Sequence, residues 1–202
     1  MFGLLNEVIK MARERKFTQE ELFLATHKLM LILGYDQFSF LKLSQELQVS
    51  RSALYKYYKN KDELLRDYLN EKLEEMVIKM SGAKWPTDYS EKLSQLIHLI
   101  FEYADTHLIS DMVPTAKWTE INRNDPGVKR AITLHQQFFS FIESVIEEGK
   151  DKGVLNKEIP SSIIIEMLFH SILLPNKAGL TELQRAEHIT NIVLYGILNR
   201  KK

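Results

Sequence analysis

The stretch Phe38–Leu65, FSFLKLSQELQVSRSALYKYYKNKDELL, decides how the rest of the 202-residue chain is read. Ser39 precedes the apolar-periodic residues Leu41, Leu43 and Leu47, so it suits the N-cap of a short helix over about 40–47. Gln48, Val49 and Ser50 form a turn. Ser50 is placed to cap a second helix by accepting from the backbone N–H of Ser52 or Ala53, with Arg51 at the first helical position. Leu54 and Tyr58, four apart, share the packed face, while Ser52, Tyr55 and Lys56 fan over the opposite arc. Asn60 reads as the N-cap of a third helix, with Glu63 completing a capping box. Two short helices around a tight turn form a helix-turn-helix, an arrangement that reads DNA.

The exposed arc carries the right chemistry for that role. A guanidinium, hydroxyls, phenols and ammonium groups suit phosphates and base edges. Arg51, Ser52 and Lys56 are expected to approach bases, and Ser39, Tyr55, Tyr57 and Lys61 the backbone. Ser50 starts the helix and Ala53 supplies clearance. Residues 38–61 hold five basic side chains (Lys42, Arg51, Lys56, Lys59, Lys61) against one acid, Glu46. The whole chain balances 27 basic against 27 acidic residues, so DNA binding has to rest on this local excess. Lys61 opposes the positive end of its own helix, a conflict that an adjacent phosphate would remove.

The pattern Gly34, Phe38-Ser39, Leu43-Ser44, Leu47, Val49-Ser50, Leu54-Tyr55, Tyr57-Tyr58-Lys59 and Lys61-Asp62-Glu63-Leu64 resembles the N-terminal DNA-binding domain of the TetR family of transcriptional repressors. The resemblance covers roughly 18–65, and LYKYYKNKDELL is its most specific part. Ser44 stands where the family usually has Ala, and Gln48 where it usually has Gly. A non-glycine residue in a left-handed turn costs on the order of 1 kcal/mol. The resemblance implies a homodimer on a double-stranded operator, expected to be an inverted repeat. It also implies a small-molecule effector held among the later helices, and a helix that connects ligand site to DNA site.

Few glycines and prolines, and no sustained two-residue alternation, predict an all-α fold. A DNA-binding domain over 1–64, with an extra helix at 2–15, leads through a continuous helix into a helical ligand-binding and dimerisation domain over 65–202. Thr18 with Glu21 makes a capping box, and Leu22, Ala25, Leu29 and Ile32 mark the buried stripe of a helix ending at Gly34. The helix from Lys61 runs to about Ser81-Gly82. Further helices are expected from Tyr89 to about His107 and around Trp118. Others run from Asp125-Pro126 to Lys152, from Pro160-Ser161 to before Pro175, and from Thr181 to about Arg200. The last two carry more apolar surface than one bundle side needs, in Ile163, Ile164, Met167, Leu168, Ile172, Ile189, Ile192, Val193, Tyr195, Gly196 and Ile197. They are the expected dimer interface.

An aromatic and histidine-rich set lies in the C-terminal part, and Ile97, Phe101, Trp118, His135, Phe138, Phe139, Met167 and His170 are the candidate ligand-binding residues. Few charges interrupt these stripes, which favours a mostly hydrophobic ligand. The chain has no cysteine, so disulfides and thiolate metal sites are excluded. No catalytic or metal-ligand motif is present, and no cofactor is implied. No apolar run is long enough to span a bilayer, and a cytoplasmic location is expected. A helical protein-interaction module of the same fold, without ligand response, stands as the alternative.

Overall fold

The computed structural model describes residues 17–114, 117 and 124–196, and the protein is all-α. The described residues form nine helices, numbered here in chain order: α1 Gln19–Gln37, α2 Phe40–Glu46, α3 Arg51–Tyr55, α4 Lys61–Gly82, α5 Tyr89–Glu102, α6 Ala104–Met112, α7 Pro126–Asp151, α8 Ser161–Leu173 and α9 Glu182–Tyr195. The helix expected at 2–15, the piece around Trp118 and the chain after Gly196 lie outside the described residues. Two compact units divide between Tyr68 and Leu69, within α4, which is continuous. None of the described helices is long and apolar enough to cross a membrane.

In the first unit, α1 begins at a complete capping box. Glu21 N–H donates to Thr18 Oγ1 at 3.0 Å, and Thr18 N–H donates to Glu21 Oε2 at 2.7 Å. At Gly34 the backbone takes φ 68°, which breaks the helix where the glycine predicts its end. Leu22, Phe23, Ala25, Thr26, Leu29 and Met30 are buried. Ile32 corrects the expected stripe, because it is 67% exposed. The stripe is centred on Thr26, whose hydroxyl donates to Leu22 O at 2.8 Å; at 3.6 residues per turn Ile32 stands about 120° from that centre.

The turn between α2 and α3 puts Gln48 at φ 54°, the left-handed position in which glycine costs nothing. Val49 N–H donates to Ser44 O at 2.9 Å and closes the turn. Three phenols then tie α1 and the segment after α3 to the first turns of α4. Tyr35 donates to Asp62 Oδ1 and Tyr58 to Asp67 Oδ2, each at 2.7 Å, and the Tyr68 hydroxyl meets His27 Nδ1 at 2.6 Å.

The second unit packs the rest of α4 with α5–α9. Leu93, Leu96, Ile97, Ile100 and Phe101 of α5 are buried as their spacing predicts, against Ile142, Val145 and Ile146 of α7 and Ile164 and Leu168 of α8. The helix expected from Tyr89 to His107 is instead two helices, interrupted at Tyr103 (φ −103°, ψ 20°). Asp125 caps α7 by accepting from Val128 N–H at 3.1 Å, with Pro126 at the first position. Asn70 Nδ2 donates to Gly127 O at 2.9 Å, and Arg130 pairs with Glu71 and Glu74, tying α4 to α7. Arg185 of α9 donates to the carbonyls of Ser171, Ile172 and Leu174, satisfying the open end of α8.

Candidate nucleic-acid interface and ligand cavity

The helix-turn-helix presents Arg51, Ser52, Tyr55 and Lys56 to solvent, with Ala53 half-buried and Leu54 packed inward. Tyr55 is 57% exposed yet oriented, because its ring meets Phe40 edge-on at 5.0 Å. Tyr57 is half-buried, with its ring edge-on to Phe17 at 5.6 Å. Ser39 caps α2 by accepting from Lys42 N–H at 3.4 Å.

Two local expectations are corrected. Ser50 makes no side-chain cap bond; its hydroxyl lies 2.9 Å from that of Ser52, so a hydroxyl pair stands exposed at the head of α3. Glu63 completes only half of the expected box. Its N–H donates to Asn60 Oδ1 at 2.9 Å, but its carboxylate accepts from Lys59 N–H at 2.7 Å.

Lys61 has partners that spacing alone does not reveal. Its Nζ donates to Tyr35 O at 2.6 Å and to Phe38 O at 3.3 Å, and sits 3.9 Å above the Tyr35 ring. Those carbonyls belong to the segment that follows the break at Gly34. The cation therefore closes the frayed end of α1, which resolves its conflict with the α4 dipole within the chain. An ammonium has three protons, so one N–H is left over for a further acceptor such as a phosphate. Burial, reinforced by the Asp62 carboxylate, pushes the Tyr35 phenol up to about 12, so it stays a donor.

In the second unit, five helices line a half-open cavity of about 170 Å³. Leu69, Leu73 and Met76 come from α4 and Ile100 from α5, with Tyr103 at the break after it. Thr106, His107 and Ser110 come from α6, His135, Phe138 and Phe139 from α7, and Phe169 and Ile172 from α8. Phe169 is the hub of its aromatic wall, 5.7 Å from Phe138, 5.5 Å from Phe139 and 5.3 Å from His107. Burial holds the His107 imidazole below its ordinary value; nearby His170 adds to this and Asp111 opposes it.

Of the candidate ligand-binding residues, the structure brings His135, Phe138 and Phe139 together around this cavity. Ile97 is in the core, and Phe101 is buried beside a separate groove lined by Lys79, His98 and Glu182. Met167 is 56% exposed on the outside of α8. His170 is also exposed, with Nδ1 2.8 Å from Glu166 O, and Trp118 lies outside the described residues. The α6 residues were not singled out by the sequence because they are mostly polar; their spacing over 103, 106, 107 and 110, one helical face, was the available signal. Among the described residues, no group of three or more His, Cys, Asp or Glu side chains could hold a metal ion.

The model for bacterial regulatory proteins of the tetR family matches residues 22–68, and that for the C-terminal region of YsiA-like protein matches residues 65–173. An uncharacterized HTH-type transcriptional regulator of Haemophilus influenzae is 40% identical over 72 residues, 36% of this chain and 36% of that protein. The chain thus aligns with little more than a third of that relative. Among solved structures, the TetR family regulator PfmR from Thermus thermophilus is similar with a TM-score of 0.71 and 19% identity, over 92% of this chain and 99% of that one. FadR from Bacillus subtilis, in complex with stearoyl-CoA, is similar with a TM-score of 0.64 and 16% identity, over 90% of this chain and 100% of that one. At these identities the likeness shows the fold.

Proposed function

The chain belongs to the TetR family of bacterial regulatory proteins and is a transcriptional regulator, and from that premise we propose that it is a homodimeric repressor released from its operator by a small, mostly hydrophobic ligand. The observation that carries the DNA-binding half is the joint exposure of Arg51, Ser52 and Lys56 at α3. Arg51, Ser52 and Lys56 approach base edges. Ser39, Tyr55, Tyr57 and the third N–H of Lys61 contact the backbone, Ser50 orients Ser52, and Ala53 gives clearance. No catalytic step enters this reading.

A single helix-turn-helix covers too little DNA for tight specific binding. Two copies spaced about one turn, 34–36 Å, or a multiple apart read an inverted repeat. Exposed apolar residues on α8 and α9, Ile163, Met167, Ile192 and Tyr195, support those helices as the dimer interface, whereas Ile164, Leu168 and Ile172, also expected there, are buried in the core of the protomer. The aromatic cavity supports the ligand half, as does the stearoyl-CoA bound by Bacillus subtilis FadR. Because α4 supplies both Lys61 and the cavity residues Leu69, Leu73 and Met76, a ligand that moves this helix changes DNA affinity. Such coupling is typically about 1–3 kcal/mol, and by linkage DNA weakens the ligand equally.

The test is a gel shift against fragments of the source genome. The protein should select fragments over random DNA, and Arg51→Ala or Lys56→Ala should erode that selection. A protein that binds every fragment alike would overturn the reading.

A further inference from the structure

The outer face of α1 carries apolar surface that the first unit leaves uncovered. Leu24 is 68% and Ile32 67% exposed, and with half-buried Leu31 they span one outward arc of about 100°, opposite the buried stripe. One exposed leucine is ordinary, but a stripe about 12 Å long on a single helix face is a seat for another element.

The chain itself supplies a counterpart. Residues 2–15, outside the described ones, hold Leu4, Leu5, Val8, Ile9 and Ala12 at helical spacing, with Asn6, Lys10 and Arg13 on the opposite side. From Leu4 to Ala12 that stripe also measures about 12 Å as a helix. A helix this short is marginal alone and gains its stability by packing its apolar face.

The joint directs it onto α1. Phe17, beside the Thr18 cap, is 7% exposed with its ring edge-on to Tyr57, and with Leu22 it occupies the two positions that fix the angle at which a chain enters a helix. Only Lys16, Phe17 and Thr18 separate residue 15 from Gln19, the length of connection that joins antiparallel helices. Counted outward from this joint, Val8 to Ala12 fall opposite Leu24, and Leu4 and Leu5 opposite Ile32. Charge agrees with that register, since Arg13, Arg15 and Lys16 fall beside the exposed Glu20 and Glu21 of the first turn of α1. A phosphate backbone, by contrast, would find no donor in Leu24 or Ile32.

We propose that residues 2–15 fold back as an amphipathic helix on the outer face of α1, antiparallel to it. The reading helices α2 and α3, seven and five residues long, then rest on a support two helices thick.

The test is a double-mutant cycle on the full chain, read as the melting midpoint by circular dichroism. Leu5→Ser with Ile9→Ser strips the segment, and Leu24→Ser with Ile32→Ser strips the face. Each pair should lower the midpoint by roughly 5–10 °C, and all four substitutions together by little more than either pair. Because the chain has no cysteine, a short bismaleimide gives a geometric readout. It should cross-link Leu5→Cys with Ile32→Cys within one chain at least about tenfold faster than Glu7→Cys with Ile32→Cys, position 7 lying on the other side of the segment. Additive losses, either pair melting with the parent's midpoint, or equal cross-linking of the two cysteine variants would overturn the proposal.

Discussion

Replacing Lys61 by alanine should separate the clamp its ammonium forms from the phosphate contact we propose for it. In the free protein its Nζ donates to Tyr35 O and Phe38 O and lies over the Tyr35 ring. Hydrogen bonds from a charged donor contribute about 1.5–3 kcal/mol, and the half-buried setting of Lys61 puts the loss at the low end, about 1.5 kcal/mol. For a protein of this length that lowers the melting midpoint by roughly 3–6 °C, read by circular dichroism at 222 nm. The phosphate contact is read by fluorescence anisotropy on a selected DNA fragment between 50 and 200 mM salt, values at which phosphate contacts show as a slope of about −0.9 each. Lys61→Ala should flatten that slope by roughly one contact per protomer, on operator and random DNA alike. A variant that melts with the parent's midpoint refutes the clamp. A variant with the parent's salt slope shows that the third N–H never meets a phosphate.

A Cβ built on Gly149 would lie 2.1 Å from Tyr89 Oη, so Gly149→Ala should destabilise by about 1–3 kcal/mol in denaturant titration. Tyr89→Phe removes a buried hydroxyl that has no hydrogen-bond partner among the described residues, and should be neutral or stabilising in the same assay. The folded-state pKa of His107 is lowered from 6.5, so the unfolded chain binds more protons and stability should be full above about pH 6.5 and fall as pH drops below it. His107→Gln should reduce that loss in melts between pH 7 and 5. Ile163→Asp combined with Met167→Asp places two charges on the exposed face of α8, and should yield a monomeric mass by light scattering at micromolar concentration.

The helix starts were legible because caps are local. Thr18 with Glu21, Asp125 before Pro126, and Thr181 with Gln184 each satisfy backbone donors within three residues, and all three appear. Two local caps failed, at Ser50 and in half of the Asn60–Glu63 box, because Ser52 and Lys59 N–H offer competing partners; the other failures depend on distance or on a polar residue doing an apolar residue's work. Thr26 sits at the centre of the α1 stripe because its hydroxyl is satisfied by its own helix, so a count of leucines rotated the face and drew in Ile32. The break at Tyr103 has neither proline nor glycine to announce it. Periodicity shows that Ile97 and Phe101 point inward but does not distinguish solid core from cavity wall, and the polar face of α6 was invisible to a search for aromatics. The Lys61 clamp joins groups 23 and 26 residues apart, beyond any local pattern.

The central claim is that this chain reads DNA as a dimer through α3, and a footprint of a selected genomic fragment tests it most directly. The account predicts two protected half-sites related by inversion, their centres about 34–36 Å or a multiple apart along the duplex. Protection should be lost at both half-sites together in the Arg51→Ala, Lys56→Ala double variant. A single protected site, or unpatterned protection that the double variant leaves unchanged, would contradict it.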